Sequence, residues 1–161
     1  MINEMQVFIA HQKGDREEAK KIATYLRSIN IRVYFDEYDR ELKKALRENN
    51  PKGVVKAIEK GLKSSTHMIC LISKNTLYSK WVPFEIGYGY DKTKVYSLTL
   101  KGIKDYEIPD YIKATEILRD ILDLNIFAKQ YGSKRLFEQK NYSNRSSYLH
   151  PLSGIMDPIV S

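Results

Sequence analysis

Apolar residues in this chain fall into short unbroken runs. Between the runs they recur every three or four positions. The runs are QVFIA (6–10), IRVYF (31–35), HMICLIS (67–73), KVYSLTL (94–100) and ATEILR (114–119). QVFIA, a continuous apolar run, predicts a strand covered on both faces; IRVYF is rich in β-branched and aromatic residues, and HMICLIS, KVYSLTL and ATEILR read as three further strands. Ala19, Ile22, Ala23 and Leu26 lie at helical spacing. They predict an amphipathic helix over 15–29, opened by Asp15 and Glu18 in a capping-box arrangement. Val54, Val55, Ile58 and Leu62 predict a second helix ending near Ser64. NTLYSKWVPFEIGYGY (75–90) holds a third, with Ser79 as N-cap and Pro83 in its first turns. IPDYIK (108–113) reads as a short helix or an irregular connection. Leu124, Phe127, Ala128 and Tyr131 share one helical face.

Two segments do not fit this alternation. Residues 36–53, DEYDRELKKALRENNPKG, are mostly charged. Leu42, Ala45 and Leu46 allow two helical turns, ENNPKG ends them, and the segment reads as a long connection of the kind that often carries function. The tail, 132–161, has weak periodicity and either wraps the domain or stays loose. With no repeat and no linker, the reading is a domain over 1–131 with a C-terminal extension over 132–161.

Strands alternating with helices predict an α/β, doubly wound parallel sheet with helices on both faces. Ligands of such folds bind beyond the carboxyl ends of the strands. Here those ends are AHQKGD, FDEYD and ISKNTLYSKW.

Composition narrows the class. The 161 residues are 42% hydrophobic and 29% charged, as in a globular domain. No run approaches the roughly 20 apolar residues of a membrane span, and the N-terminus lacks a signal-peptide pattern. The single cysteine, Cys70, excludes an internal disulfide, fits a cytoplasmic location and reads as a small buried hydrophobe. The net charge of +7 suits anionic partners. Its cations are scattered, and zinc-finger, RRM and KH signatures are missing, which argues against nucleic acid.

Most catalytic signatures are missing too. The chain has neither GxxxxGK[ST] nor GxGxxG nor GxSxG. His11, His67 and His150 are far apart, and no Cys/His spacing suggests zinc. Asp36 ends the second run as a phosphoacceptor would, but the first run is not followed by an acidic pair to hold magnesium. One residue stands out. In SKWVPFEIGYGY (79–90), Glu85 is a carboxylate within an apolar and aromatic run, where an unpaired charge is costly. It favours the helix dipole and pairs with a lysine, or it serves a site shared with Trp81, four residues earlier on the same helical face. A carboxylate beside an aromatic ring suits glycosidic chemistry: the ring stacks on a flat base while the carboxylate steadies an oxocarbenium-like centre.

VFIAHQKGD, VYFDEYD and VVKAIEKGLKSSTHMICLISKNTLYSKWVPFEIGYGY, in this order and spacing, resemble the boxes of the Toll/interleukin-1 receptor (TIR) domain in its bacterial form. The resemblance covers residues 5–131. It implies a flavodoxin-like, five-stranded parallel sheet. In enzymatic members the Glu of the S-x-W-x-x-x-E segment, here Glu85, is required to cleave NAD+ at the nicotinamide–ribose bond. Trp81, Ala10, His11, Phe35 and Asp36 would line the substrate pocket. NAD+ is then the substrate, with no cofactor and no metal. The chain resembles stand-alone TIR proteins of Thoeris-type anti-phage defence, which convert NAD+ into a nucleotide signal read by a separate effector. It departs from the family at 36–53, where NNPKG replaces L-x-P-G. By resemblance this segment contacts a neighbouring subunit in a loose homo-oligomer. Two alternatives stay open: a non-catalytic TIR adaptor, and a nucleoside deoxyribosyltransferase-like enzyme, whose glutamate region FEIGYGYDKTKVYSL also resembles.

Overall fold

Each apolar run contains a strand in the computed structural model, which describes residues 4–142 and 150–160. The strands are β1 Gln6–Ala10, β2 Arg32–Tyr34, β3 His67–Ile72, β4 Lys94–Thr99 and β5 Glu116–Leu118. All pair in parallel, in the order β2-β1-β3-β4-β5. The chain winds one way from β1 to β2 and the other way from β1 to β3. That reversal opens a crevice at the carboxyl ends of β1 and β3.

Side chains alternate across the sheet and divide the core in two. Val7, Ile9, Ile69 and Leu71 pack against α1 (Arg16–Ser28) and α6 (Ile121–Tyr131). Phe8, Ala10, Met68, Cys70 and Ile72 pack on the other face. They meet α2 (Asp36–Arg47), α3 (Pro51–Lys63), α4 (Trp81–Tyr90) and α5 (Asp110–Lys113). A Cβ at Gly61 would lie 2.7 Å from the Phe8 ring, so only glycine lets α3 approach β1 this closely.

The expected long connection at 36–53 is not a loop. It is α2, a three-residue turn and the start of α3. Tyr38, Leu42 and Ala45 recur at helical spacing and are buried, together with Asp39, while most of the other charges occupy the outer face. Asp36, Glu37 and Asp39 fall in the first turn and Lys44 and Arg47 in the last, complementing the helix dipole. Asn49 takes a positive φ of 50°, and Asn50 caps α3 by accepting from Gly53 N at 3.1 Å. Two caps also differ from expectation. Asp15 precedes α1 without capping it, because its carboxylate accepts from Ser73 Oγ at 2.7 Å instead. Lys80 is the N-cap residue of α4, and Ser79 Oγ accepts from Trp81 N at 3.1 Å.

In the tail, Phe137 on α7 (Lys134–Gln139), Leu152 and Met156 are buried in the α1/α6 core. Lys101 N donates to Ile155 O at 2.8 Å, and Val160 N to Asp120 Oδ2 at 2.7 Å. The expectation for the rest of the tail falls on 143–149 and Ser161, outside the described residues. Among the described residues no helix is long and apolar enough to cross a membrane.

Candidate active site

The crevice is built from the segment that leaves β1, the start of α2 and the buried face of α4. After Ala10 the chain runs through His11 and Gln12 into a 3-10 turn at Lys13–Asp15. Asp15 is buried, and its bond from Ser73 ties this turn to the end of β3. The strap carrying Gln12 is therefore held at both ends.

Glu85 lies on α4 with Val82, Ile86 and Gly89, and only 1% of it is exposed. Gln12 Nε2 donates to Glu85 Oε1 at 2.7 Å, and Cys70 Sγ lies 3.6 Å from Oε2. Among the described residues no cation pairs with this carboxylate, and the lysine partner considered from the sequence is not found there. Burial pushes its pKa up to about 8, against the opposing pull of the bonds from Cys70 and Gln12. Burial, reinforced by Glu85, likewise raises the Cys70 thiol. Tyr38 is fully buried beside this group, its phenol raised first by burial and then by the Glu85 charge. Its hydroxyl donates to His11 O at 3.4 Å.

A second knot of charge closes the crevice. His11 Nε2 donates to Asp39 Oδ1 at 3.1 Å, and Arg16 Nε donates to Asp39 Oδ2 at 2.7 Å. Lys43 Nζ is 3.8 Å from Asp39 Oδ2. Burial works to raise the Asp39 carboxyl, but bonds from Arg16 and His11 outweigh it and hold the group below its usual range. Burial lowers His11 despite Asp39, which leaves a neutral ring at neutral pH. That ring lies 5.2 Å from Phe35 and edge-on to Tyr38 at 5.3 Å. The Arg16–Asp39–His11 chain thus pins the first turn of α2 to the strap that holds Glu85.

The residues singled out in the sequence divide between two places. Ala10 is fully buried at the end of β1, in the core cluster that contains Tyr38 and Cys70. His11 and Phe35 are in ring contact. Trp81 is half-buried one helical turn before Glu85, edge-on to Phe84 at 5.7 Å. Asp36 opens α2, where its exposed carboxylate accepts from Arg27 Nη2 at 2.7 Å and, with Phe35 and Asp39, lines a surface depression. Gln12, Arg16, Tyr38 and Asp39 escaped notice, and Cys70 was read only as packing. Tyr38 had a signal, because 38, 42 and 45 continue a helical face. Among the described residues no group of three or more His, Cys, Asp or Glu side chains is arranged to hold a metal.

A strand–strap–helix frame with a buried α4 glutamate is the arrangement that the sequence boxes anticipate, and the TIR domain family model matches residues 7–132. The chain belongs to the TIR domain family. Among solved structures, the TIR domain of the Toll-related receptor TRR-2 from Hydra magnipapillata superposes with a TM-score of 0.50 at 12% identity, over 83% of this chain and 95% of that one. At that identity the likeness concerns the fold alone. A metazoan TIR-STING receptor from C. gigas, solved in complex with 2',3'-cGAMP, is 22% identical over 70% of this chain and 34% of its own, with a TM-score of 0.47. No curated protein matches the sequence.

Proposed function

We propose that this TIR domain cleaves NAD+ at the nicotinamide–ribose bond, with Glu85 as the catalytic carboxylate. The observation that carries the reading is a buried carboxylate near the carboxyl ends of the central strands with, among the described residues, no cation to satisfy it. Structural carboxylates are normally paired. One left buried without a counter-charge suits a positively charged ligand or a charge that develops during reaction.

NAD+ supplies both. Its nicotinamide ring is a pyridinium and departs neutral. The C1′–N bond breaks, the electron pair leaves with the ring nitrogen, and positive charge spreads over C1′ and the ribose ring oxygen. Glu85 ionised beside that centre stabilises it. The neutral leaving group needs no Lewis acid, so NAD+ serves as substrate without metal or cofactor. Water attacking C1′ gives ADP-ribose and releases a proton. Attack by a hydroxyl or an adenine nitrogen of the same molecule gives a cyclic product. In this reading Trp81, one turn before Glu85, borders the nicotinamide, and Ala10, His11 and Phe35 line the pocket, as the family resemblance implies.

The sequence likeness to Thoeris-type proteins supports a bacterial anti-phage role, a separate effector that reads the nucleotide product, a cytoplasmic setting and a loose homo-oligomer. The experiment is incubation with NAD+ and, separately, with a deoxynucleoside plus a free base, with products resolved by chromatography and mass spectrometry. Nicotinamide release with no base exchange is the expected result. Base exchange with NAD+ untouched means a deoxyribosyltransferase-like enzyme, and inertness in both means an adaptor.

A further inference from the structure

A cleft of about 450 Å3 runs between the start of α1 and the outer edge of α2, with His11 in its wall. Lys13, Arg16, Lys43 and Arg47 stand around it, and Leu42 and Leu46 form an apolar part of its wall. A second depression of about 330 Å3 adjoins it, sharing Arg16, Lys43 and Arg47 and adding Lys20, Arg40 and the Asp36 carboxylate, which is paired with Arg27. Asp39 lines both, but its oxygens are taken by His11 and Arg16. Lys13, Lys20, Arg40 and Arg47 have no carboxylate partner among the described residues.

Scattered surface lysines are ordinary. This group differs in three respects. It surrounds a concavity. One of its cations is fixed, since Arg16 is oriented by Asp39 at 2.7 Å. And it combines charge with exposed apolar surface, Leu46 being 37% exposed. Phosphate oxygens match guanidinium and ammonium donors, and an apolar strip beside them matches the face of a base or ribose. Position connects the cleft to the chemistry. His11 lines it, and the next residue, Gln12, holds Glu85.

We infer that this cleft is the diphosphate subsite of the enzyme, with Arg16, Lys43, Arg47 and Lys13 binding the bridging phosphates and Leu42 and Leu46 contacting the distal nucleoside. The inference rests on the NAD+ reading and sharpens it. The substrate class is a diphosphate-bridged dinucleotide, and a nucleoside without phosphates forgoes most of the binding surface. Affinity depends on the α2 cations and falls with salt, because exposed phosphate–cation contacts are screened.

The test is calorimetric titration of the full chain with ADP-ribose and with inorganic pyrophosphate, so that binding is read without turnover. Wild type binds ADP-ribose, and pyrophosphate displaces it. Lys43→Gln/Arg47→Gln, both exposed and outside the core, weakens ADP-ribose roughly tenfold or more. Lys52→Gln/Lys56→Gln removes the same charge from exposed sites on α3 and leaves affinity unchanged. Equal weakening by both double variants would mean a diffuse field and overturn the subsite. So would wild-type affinity in the α2 variant, or pyrophosphate that binds without displacing ADP-ribose. Glu85→Gln retains ADP-ribose binding. If Glu85 proves dispensable for cleavage while the α2 variant still loses ADP-ribose, the catalytic assignment falls and the subsite stands.

Discussion

Gln12 and Glu85, 73 residues apart in the chain, share a hydrogen bond of 2.7 Å beneath the first turn of α2. The bond fixes one oxygen of the carboxylate with a neutral donor. A lysine there would neutralise the charge that the ribose needs. An amide orients it and leaves the charge available.

Gln12→Ala removes a bond that favours the ionised form of Glu85. The expected result is a rising limb of the kcat/KM–pH profile displaced to higher pH, from its wild-type position near 8. A lost bond of this kind costs roughly tenfold in activity at neutral pH. Gln12→Glu places a second carboxylate at hydrogen-bond distance and displaces the limb further. The pH profile of nicotinamide release checks both, and unchanged limbs would detach Gln12 from Glu85.

Glu85 also makes stability depend on pH. Its folded pKa of about 8 lies above its ordinary value of 4.5. Below the ordinary value the carboxyl is protonated in both states. Between the two, the unfolded chain releases the proton and the folded chain keeps it. Stability from this group therefore falls as pH rises, by at most about 1.4 kcal/mol per pH unit. Glu85→Gln has no such loss. Its melting temperature should match wild type near pH 5 and exceed it increasingly toward pH 8. Parallel melting curves across that window would show that Glu85 is ionised at no cost in the folded protein.

How much of this was legible beforehand follows from the reach of each interaction. Strands β1, β3 and β4 announce themselves because both faces are covered, so their composition is apolar without reference to distant partners, whereas the edge strands β2 and β5 are only partly buried. Glu85 was visible for the same reason, as a charge among apolar neighbours. Its partners were not: Gln12 sits in a polar stretch and meets α4 only through the sheet order. Helix α2 was hidden because it buries Tyr38, Asp39, Leu42 and Ala45 among many charges. Its true partner is α3, against which Lys60 reaches Glu41 at 2.9 Å.

Asp39→Asn breaks the latch on both sides, since Arg16 and His11 each bond this carboxylate. Arg16 is partly exposed, so solvent screening keeps the loss small. Hydrogen exchange should accelerate across 36–47 while β3 amides keep their protection. Because Asp39 is held below its usual range, its contribution is present above that range and lost as the pH falls through its folded value. Uniform acceleration throughout the molecule would identify Asp39 as a global support instead of a local latch.

The outer face of α2 carries Arg40, Lys43, Lys44 and Arg47 interleaved with Glu37 and Glu41. Contacts between copies through such a face are individually weak and salt-sensitive. Specific activity should therefore fall on hundredfold dilution of about micromolar protein, and fall further in high salt. Flat activity in both conditions would mean that one chain suffices.

The most direct measurement is the rate of nicotinamide release from NAD+ by wild type and by Glu85→Gln, at equal and high protein concentration, with folding of both confirmed by their melting curves. The account predicts stoichiometric release of nicotinamide with an ADP-ribose or cyclic product from wild type, and none above background from the variant. Release at the same rate from both, or from neither, would contradict it.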